Sequence, residues 1–251
     1  MTGHAGGLCL AIDTASDIAG VALFEEGEML AETTWRTRQS HSRQLLPAVD
    51  WLLGHIGRSK QDVTSIAVCL GPGSYAGMRV GISTAKALAY ALEVPLVGVG
   101  RLAADALPLA EATLSRVIAV QAAGRAELAY AAYRIADGRS SPSPQPSPWA
   151  GRGSWIGDLQ ELIAPCLGSP DVVVDALEPG DIVCGETQRL DEATVASITA
   201  KGCRLLTSTT PRAVSLARLG LQRLERGEID NPDSLVPLYL RAPAIGPQPP
   251  R

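Results

Sequence analysis

Residues Ser65–Gly100 read S-I-A-V-C-L-G-P-G-S-Y-A-G-M-R-V-G-I-S-T-A-K-A-L-A-Y-A-L-E-V-P-L-V-G-V-G. The apolar run Ile66–Leu70, closed by the turn residues Gly71-Pro72-Gly73, predicts a buried strand. A small-residue helix is predicted over Ser74–Leu92, with Ser74 as its N-cap. Leu96–Val99 predicts a second buried strand, which completes a β-α-β unit. The helix carries Gly77, Gly81 and Ala85 at four-residue spacing, so one of its faces is nearly flat. A flat face lets another backbone approach closely. That backbone belongs either to the chain's own sheet or to a partner.

Upstream, Leu8–Thr14 (L-C-L-A-I-D-T) is a continuous apolar run, which predicts a central strand buried on both faces. Ile18–Phe24 predicts a second strand, Glu25–Glu28 a turn containing Gly27, and Met29–Arg36 a more polar strand nearer the sheet edge. Between Ser40 and Ile56 the apolar positions Leu45, Leu46, Val49, Leu52, Leu53 and Ile56 describe one helical stripe, and Pro47 bends that helix or marks its first turns. The first hundred residues therefore read β-β-β-α-β-α-β. This order, antiparallel ribbon first and parallel crossovers afterwards, is that of the ribonuclease H-like α/β fold, which actin, hexokinase and heat-shock ATPases duplicate. A two-lobed, actin-like chain with mixed sheets is the expectation.

The second half partly repeats this outline. A strand pair is predicted at Arg116–Val120 and Glu127–Arg134, and a short helix at Gly157–Ile163. A strand at Asp181–Cys184 follows, then a helix at Thr187–Ile198, a strand at Cys203–Leu206 and a helix at Pro211–Arg226 that has Pro at its first position and Gly227 after its end. The Pro/Ser run Ser140–Pro148 reads as a mobile loop, and the Pro-rich residues 242–251 as a flexible tail. The domain reading is a first lobe over 1–102, joined by the helix of 211–227, and a second, reduced lobe over 103–210.

Apolar residues make up 46% of the 251 and charged residues 19%, the balance of a soluble globular chain. With aromatics at 4% and one Phe, Leu, Val, Ile and Ala must build the core. A net charge of −4 argues against a chain that grips nucleic acid unaided. A local basic patch on the last helix, from Arg212, Arg218, Arg223 and Arg226, stays open. The five cysteines (Cys9, Cys69, Cys166, Cys184, Cys203) are odd in number and lack C-x-x-C spacing, so they read as free thiols of a cytoplasmic protein. The N-terminus has no signal-like pattern, and no apolar run approaches the roughly 18 residues a membrane span needs.

Few residues carry candidate chemistry. Asp13 and Thr14 end the first strand, where this architecture would handle Mg²⁺ or phosphate. ATPases of the actin and hexokinase group usually follow that Asp with Gly (D-x-G-T), whereas here Ala15 and Ser16 follow, and Asp13 reads first as a strand-end cap through the amides of Thr14 and Ser16. Gly71-Pro72-Gly73-Ser74 lacks the Lys of a phosphate loop and reads as a turn opening a helix, although an anion could rest on its amides. Asp13, Thr14, Gly71, Gly73 and Ser74 are thus at most a vestigial cofactor site. His41 has no second His at helical spacing, so it reads as a helix-start or interface residue, not a metal ligand. Tyr239, in Pro237–Arg241, reads as the pin of a short ordered segment.

Several of these stretches together resemble the TsaB (YeaZ) family. They are Leu10–Thr14, His41–Pro47, Gly71–Gly81, Ala85–Ala89, Pro95–Val99 and Pro237–Arg241, so the likeness is dense over 8–102 and thin afterwards. TsaD, the catalytic paralogue, shares the glycine-turn block but carries an H-x-x-x-H metal pair where this chain has Arg101 and Asp105. At the second-lobe hairpin, TsaB chains commonly show a D-A-R-R-G-E-like run; here it is Ala122-Ala123-Gly124-Arg125-Ala126-Glu127, without the leading acid.

The resemblance implies a non-catalytic, cofactor-free scaffold. It would pair with TsaD through the first two helices and work with TsaE and ATP in transferring threonylcarbamoyl to the adenosine beside the anticodon of tRNA. The tRNA would be met only through the complex, and the chain alone would form a homodimer. Candidate partner residues are Ser42, Leu46, Gly77, Met78, Arg79, Gly81, Ile82 and Lys86. The rival reading is an ATP-dependent small-molecule kinase, with Asp13 holding Mg²⁺-phosphate. A third, a metallopeptidase, lacks ligands.

Overall fold

The computed structural model describes residues 7–37, 41–124, 126–136, 158–207 and 212–241. The Pro/Ser run 140–148 and the tail 242–251 lie outside these described residues. The chain writes one topology twice. Strands β1 (Leu8–Asp13), β2 (Ile18–Glu25) and β3 (Glu28–Arg36) form an antiparallel meander. Helix α1 (His41–His55) leads to β4 (Val63–Gly71), helix α2 (Tyr75–Leu92) to β5 (Leu96–Gly100), and helix α3 (Arg101–Thr113) follows. The second round is β6 (Val117–Ala122), β7 (Leu128–Ile135), β8 (Leu159–Gly168), α4 (Pro170–Asp175), β9 (Ile182–Gly185), α5 (Glu192–Ala200), β10 (Arg204–Leu205) and α6 (Arg212–Glu225). Each sheet has its strands in the order third, second, first, fourth, fifth. The first, fourth and fifth strands run parallel, joined by helical crossovers.

The alternation of side chains along β1 separates two core layers. Leu8, Leu10 and Ile12 pack with Leu45, Val49, Leu52 and Leu53 of α1 and Ile82, Ala85 and Leu88 of α2. Cys9 and Ala11 face the other way, into a layer shared with Leu102 and Leu107 of α3, Leu216 and Ala217 of α6, and Ala119 of β6. This inner layer mixes alanines with leucines and the rings of Phe24 and Tyr133, and its small residues lie where the two helices meet the sheets most closely. At Gly220 of α6 a Cβ would stand 2.7 Å from the Ala67 methyl of β4. Helix α6 packs on the first sheet although it follows the second, and α3 packs on the second although it follows the first. The two halves therefore interlock, each supplying the helix that covers the inner face of the other.

Several elements differ from the sequence reading. Leu159–Gly168 is a strand, not the helix predicted at Gly157–Ile163. It pairs with β7 alone, and at that edge position Pro165 removes no ladder bond that the sheet needs. The helix predicted at Thr187–Ile198 divides into a 3₁₀ turn (Thr187–Arg189) and α5, where Asp191 accepts the Thr194 amide at 2.7 Å. Two helices, α3 and α4, have no counterpart in that reading. Ser74 does cap α2, accepting the Gly77 amide at 3.3 Å.

The flat face of α2 also needs correcting, because its close neighbour is the chain's own β1 end. Thr14 Oγ1 donates to the Gly77 carbonyl at 2.7 Å. A Cβ at Gly77 would stand 2.1 Å from the Thr14 carbonyl oxygen, and one at Gly81 2.2 Å from Thr14 Oγ1. Gly77, Met78, Gly81 and Ile82 are buried and so cannot build a helix-to-helix contact with a partner, whereas Ser42, Leu46 and Arg79 are exposed and Lys86 is half-buried. Since the Gly77 neighbour is backbone and cannot rotate away, Gly77→Ala should lower stability. The overpacking cost of about 1–3 kcal/mol exceeds the gain in helix propensity of at most about 1 kcal/mol. A urea midpoint checks this, and an unchanged or raised midpoint contradicts it.

Candidate functional site

The strongest sequence candidate, Asp13, lies at the junction of the two halves, and its partner comes from the last helix. Asp13 is 2% exposed, and its Oδ1 accepts the Ala15 amide at 2.9 Å. That amide, not those of Thr14 and Ser16, caps the strand end. Oδ2 accepts Arg212 Nε at 2.7 Å. The same guanidinium reaches Asp105 at 3.6 Å and donates to Ser16 Oγ. Arg101 and Asp105, one helical turn apart on α3, stand 3.7 Å from each other, an ion pair beyond hydrogen-bond length. Arg101 also donates to Glu186 Oε1 at 3.0 Å, while Glu186 Oε2 accepts the Ala122 amide at 3.2 Å. The network thus runs from β1 through α6 and α3 to the second sheet, with two guanidiniums among three carboxylates.

Electrostatics separates the two aspartates. Burial alone would raise the Asp13 carboxyl, but the charges of Arg212 and Arg101 and the Ala15 amide outweigh it and hold the group below its ordinary value. At Asp105 burial prevails over the same two guanidiniums, and the carboxyl is raised. Arg212 is raised too, because Asp13 and Asp105 overcome the opposing effect of burial. A phosphate or Mg²⁺ at Asp13 would have to displace Arg212. Among the described residues no group of three or more His, Cys, Asp or Glu is arranged to hold a metal ion.

The remaining candidates serve structure. Gly71 ends β4, opposite Gly100. Gly73 packs on the Ala15 carbonyl, which accepts the Ser74 amide at 2.7 Å. Thr14 is committed to α2, as described above. His41 begins α1, buried, with Nε2 3.2 Å from Thr37 Oγ1, and burial lowers its pKa. The five cysteines are free, and Cys9, Cys69, Cys184 and Cys203 are buried. The basic patch left open on the last helix is neutralised: Arg212 by Asp13, Arg218 by Glu111, Arg223 by Asp230 and Arg226 by Asp158.

Between the halves lies a crevice of about 270 Å³. Pro72, Gly73 and Met78 line one side, Gln121–Gly124 the other, and Leu238–Arg241 cross it. Sequence reasoning identified Asp13, Arg101 and Asp105 but not Arg212 or Glu186 as their partners, since a pair separated by 199 residues leaves no local signal. The i, i+4 spacing of Arg101 and Asp105 was the one visible hint.

The family model described as "TsaD: tRNA N6-adenosine threonylcarbamoyltransferase" matches residues 29–146. The tRNA threonylcarbamoyladenosine biosynthesis protein TsaB of Bacillus subtilis (strain 168) is 41% identical over 93 residues, covering 37% of this chain and 41% of that protein. The TsaB protein of Escherichia coli (strain K12) is 40% identical over 93 residues, covering 37% and 40%. The chain therefore spans about two fifths of the length of the curated relatives it matches. The crystal structure of YeaZ from Pseudomonas aeruginosa superposes with a TM-score of 0.72 at 24% identity, over 93% of this chain and 100% of that one.

The ion network makes a prediction whose sign follows from the shifts. The folded-state pKa of Asp13 lies below its unfolded value, so its contribution to stability is complete above about pH 4 and is lost as pH falls through the folded value. Asp105 is raised and acts in the opposite sense, stabilising below its unfolded value and losing that contribution as pH rises through the folded one. Arg212→Met, which leaves Asp13 buried and unpaired, should cost about 3–5 kcal/mol at pH 7. The gap to wild type should narrow towards pH 4 as Asp13 takes up a proton. Urea unfolding at both pH values tests this, and a gap that is independent of pH contradicts it. Over 93 residues the chain is about 40% identical to TsaB proteins, and in fold it is YeaZ-like over 93% of its length.

Proposed function

We propose that this chain is a non-catalytic subunit of the TsaB type. It supports TsaD, with TsaE and ATP, in threonylcarbamoyl transfer from threonylcarbamoyl-AMP to the adenosine next to the anticodon of tRNA. The observation that carries this reading is the engagement of Asp13 by Arg212. The carboxylate that would steer Mg²⁺ or phosphate in a kinase of this fold is already satisfied inside the protein, which disfavours the ATP-dependent kinase. Arg101 and Asp105, which stand where TsaD-like chains carry a histidine pair, are spent on the same ion network. Asp13, Thr14, Gly71, Gly73 and Ser74 are then vestiges of a nucleotide site with structural duties.

Support for the partner role comes from the outer flank of α1 and α2. Ser42, Leu46 and Arg79 are exposed on these helices, as are Trp51 and Tyr90, and Lys86 is half-buried. Trp51 stacks on His55 with ring centroids 5.5 Å apart. Exposed aromatic and arginine side chains are the composition of binding hot spots. The division into a lobe of 1–102 with 211–227 and a lobe of 103–210 places this flank wholly on the first lobe. The same flank would join two copies when TsaD is missing. No helix among the described residues is long and apolar enough to cross a membrane, and the cytoplasm, where tRNA is modified, is the compartment this reading assigns.

Co-expressed with TsaD, the chain should co-migrate with it in size exclusion, and Leu46→Glu should weaken the pair at least tenfold without changing the thermal midpoint. In reconstitution, TsaD and TsaE should modify tRNA only when this chain is added. Modified tRNA made by the chain alone would overturn the scaffold role, and elution of the two proteins as separate species would overturn the partnership.

A further inference from the structure

Residues Pro237–Arg241 have no regular secondary structure, yet three elements hold them. The Leu238 N–H donates to the Leu70 carbonyl near the end of β4 at 2.8 Å. The Tyr239 ring stacks on Tyr75, the first residue of α2, with centroids 5.4 Å apart and planes at 25°. Arg241 pairs with Glu127, just before β7. Leu238 and Leu240 line the crevice between the halves. Tyr75 is fixed as a platform by Arg79, which donates to its hydroxyl at 2.7 Å and stands over its ring.

Each of these contacts is of a kind that any extended peptide can make: a backbone N–H into a carbonyl, ring on ring, guanidinium on carboxylate. The anchoring changes abruptly one residue upstream. Leu235 is buried in the first-lobe core, whereas Val236 is 64% exposed. The segment after Val236 can therefore leave without disturbing the core, and its departure would free a carbonyl at Leu70, an aromatic face at Tyr75 and a carboxylate at Glu127.

We propose that the surface of Leu70, Tyr75 and Glu127 beside this crevice is a peptide-docking groove and that residues 238–241 are its resident, displaceable occupant. The occupant it takes in trans is an extended segment of a partner protein, patterned aliphatic–aromatic–any–basic like Leu238-Tyr239-Leu240-Arg241. A tethered occupant competes at an effective concentration on the order of millimolar, so the groove is masked in the resting chain. This inference does not rest on the partnership with TsaD, although Arg79 of α2 belongs to both surfaces, and the peptide is therefore tested on the chain without TsaD.

The test uses the full chain and a fluorescein-labelled peptide of residues 236–242, read by fluorescence polarisation. A Tyr239→Ala, Arg241→Ala double variant, checked for an unchanged thermal midpoint, should bind the peptide at least tenfold more tightly than wild type. Adding Glu127→Lys should abolish that gain. Equal affinity for wild type and the folded variant, or no binding to the variant, overturns the proposal. So does a dimer that grows with concentration and vanishes in the double variant, which would mean that copies exchange the segment. Should the variant fail to fold, wild type gives a second reading by hydrogen exchange. Excess peptide should speed exchange at the Leu238 amide and leave Leu235 unchanged, and unaltered protection at Leu238 overturns the proposal.

Discussion

The buried contact between Asp13 and Arg212 is the constraint on which the rest of the molecule depends. A carboxylate sealed from water costs several kcal/mol unless a cation and hydrogen bonds compensate it. Here the compensation comes from a residue 199 positions away in the chain. The last helix must therefore lie across the inner face of the first sheet, and α3 lies beside it across the second. Neither half can close its inner face without the other.

That arrangement explains why the same topology, written twice, gives unequal halves. The first half spends α1 and α2, of 15 and 18 residues, on covering the outer face of its sheet. The second uses α4 and α5, of 6 and 9 residues, and is correspondingly reduced. Between the sheets an apolar cluster that includes Leu102, Leu107, Tyr133 and Leu216 surrounds the ion network, so packing and charge together hold the junction. The crevice that a nucleotide enzyme of this architecture would open around substrate is instead crossed by the chain's own C-terminal segment.

The legible part of this structure was whatever rests on local periodicity. The run Leu8–Thr14, the stripe from Leu45 to Ile56 and the cap at Ser74 each declare their element, because a strand buried on both faces is continuously apolar, a buried helix face repeats every 3.6 residues, and a Ser before a helical run satisfies its first amides. Leu159–Gly168 did not, since both of its faces are largely open to solvent, which leaves no buried face to impose a period, and it carries Pro165. The glycines of α2 were legible as a close approach, but not as an approach to Thr14, because nothing in the helix names its neighbour. For the same reason Asp13 could be singled out while Arg212 could not: charge pairing across the fold depends on topology, which the residues around each charge do not record.

Isothermal titration calorimetry of the purified chain with Mg-ATP bears most directly on whether Arg212 holds the place at Asp13 that a phosphate or its metal would need. No saturable heat is predicted up to millimolar nucleotide, for wild type and for Asp13→Asn alike. Saturable binding in the micromolar range, abolished by Asp13→Asn, would contradict an internally satisfied carboxylate and return the chain to the nucleotide-dependent enzymes of its fold.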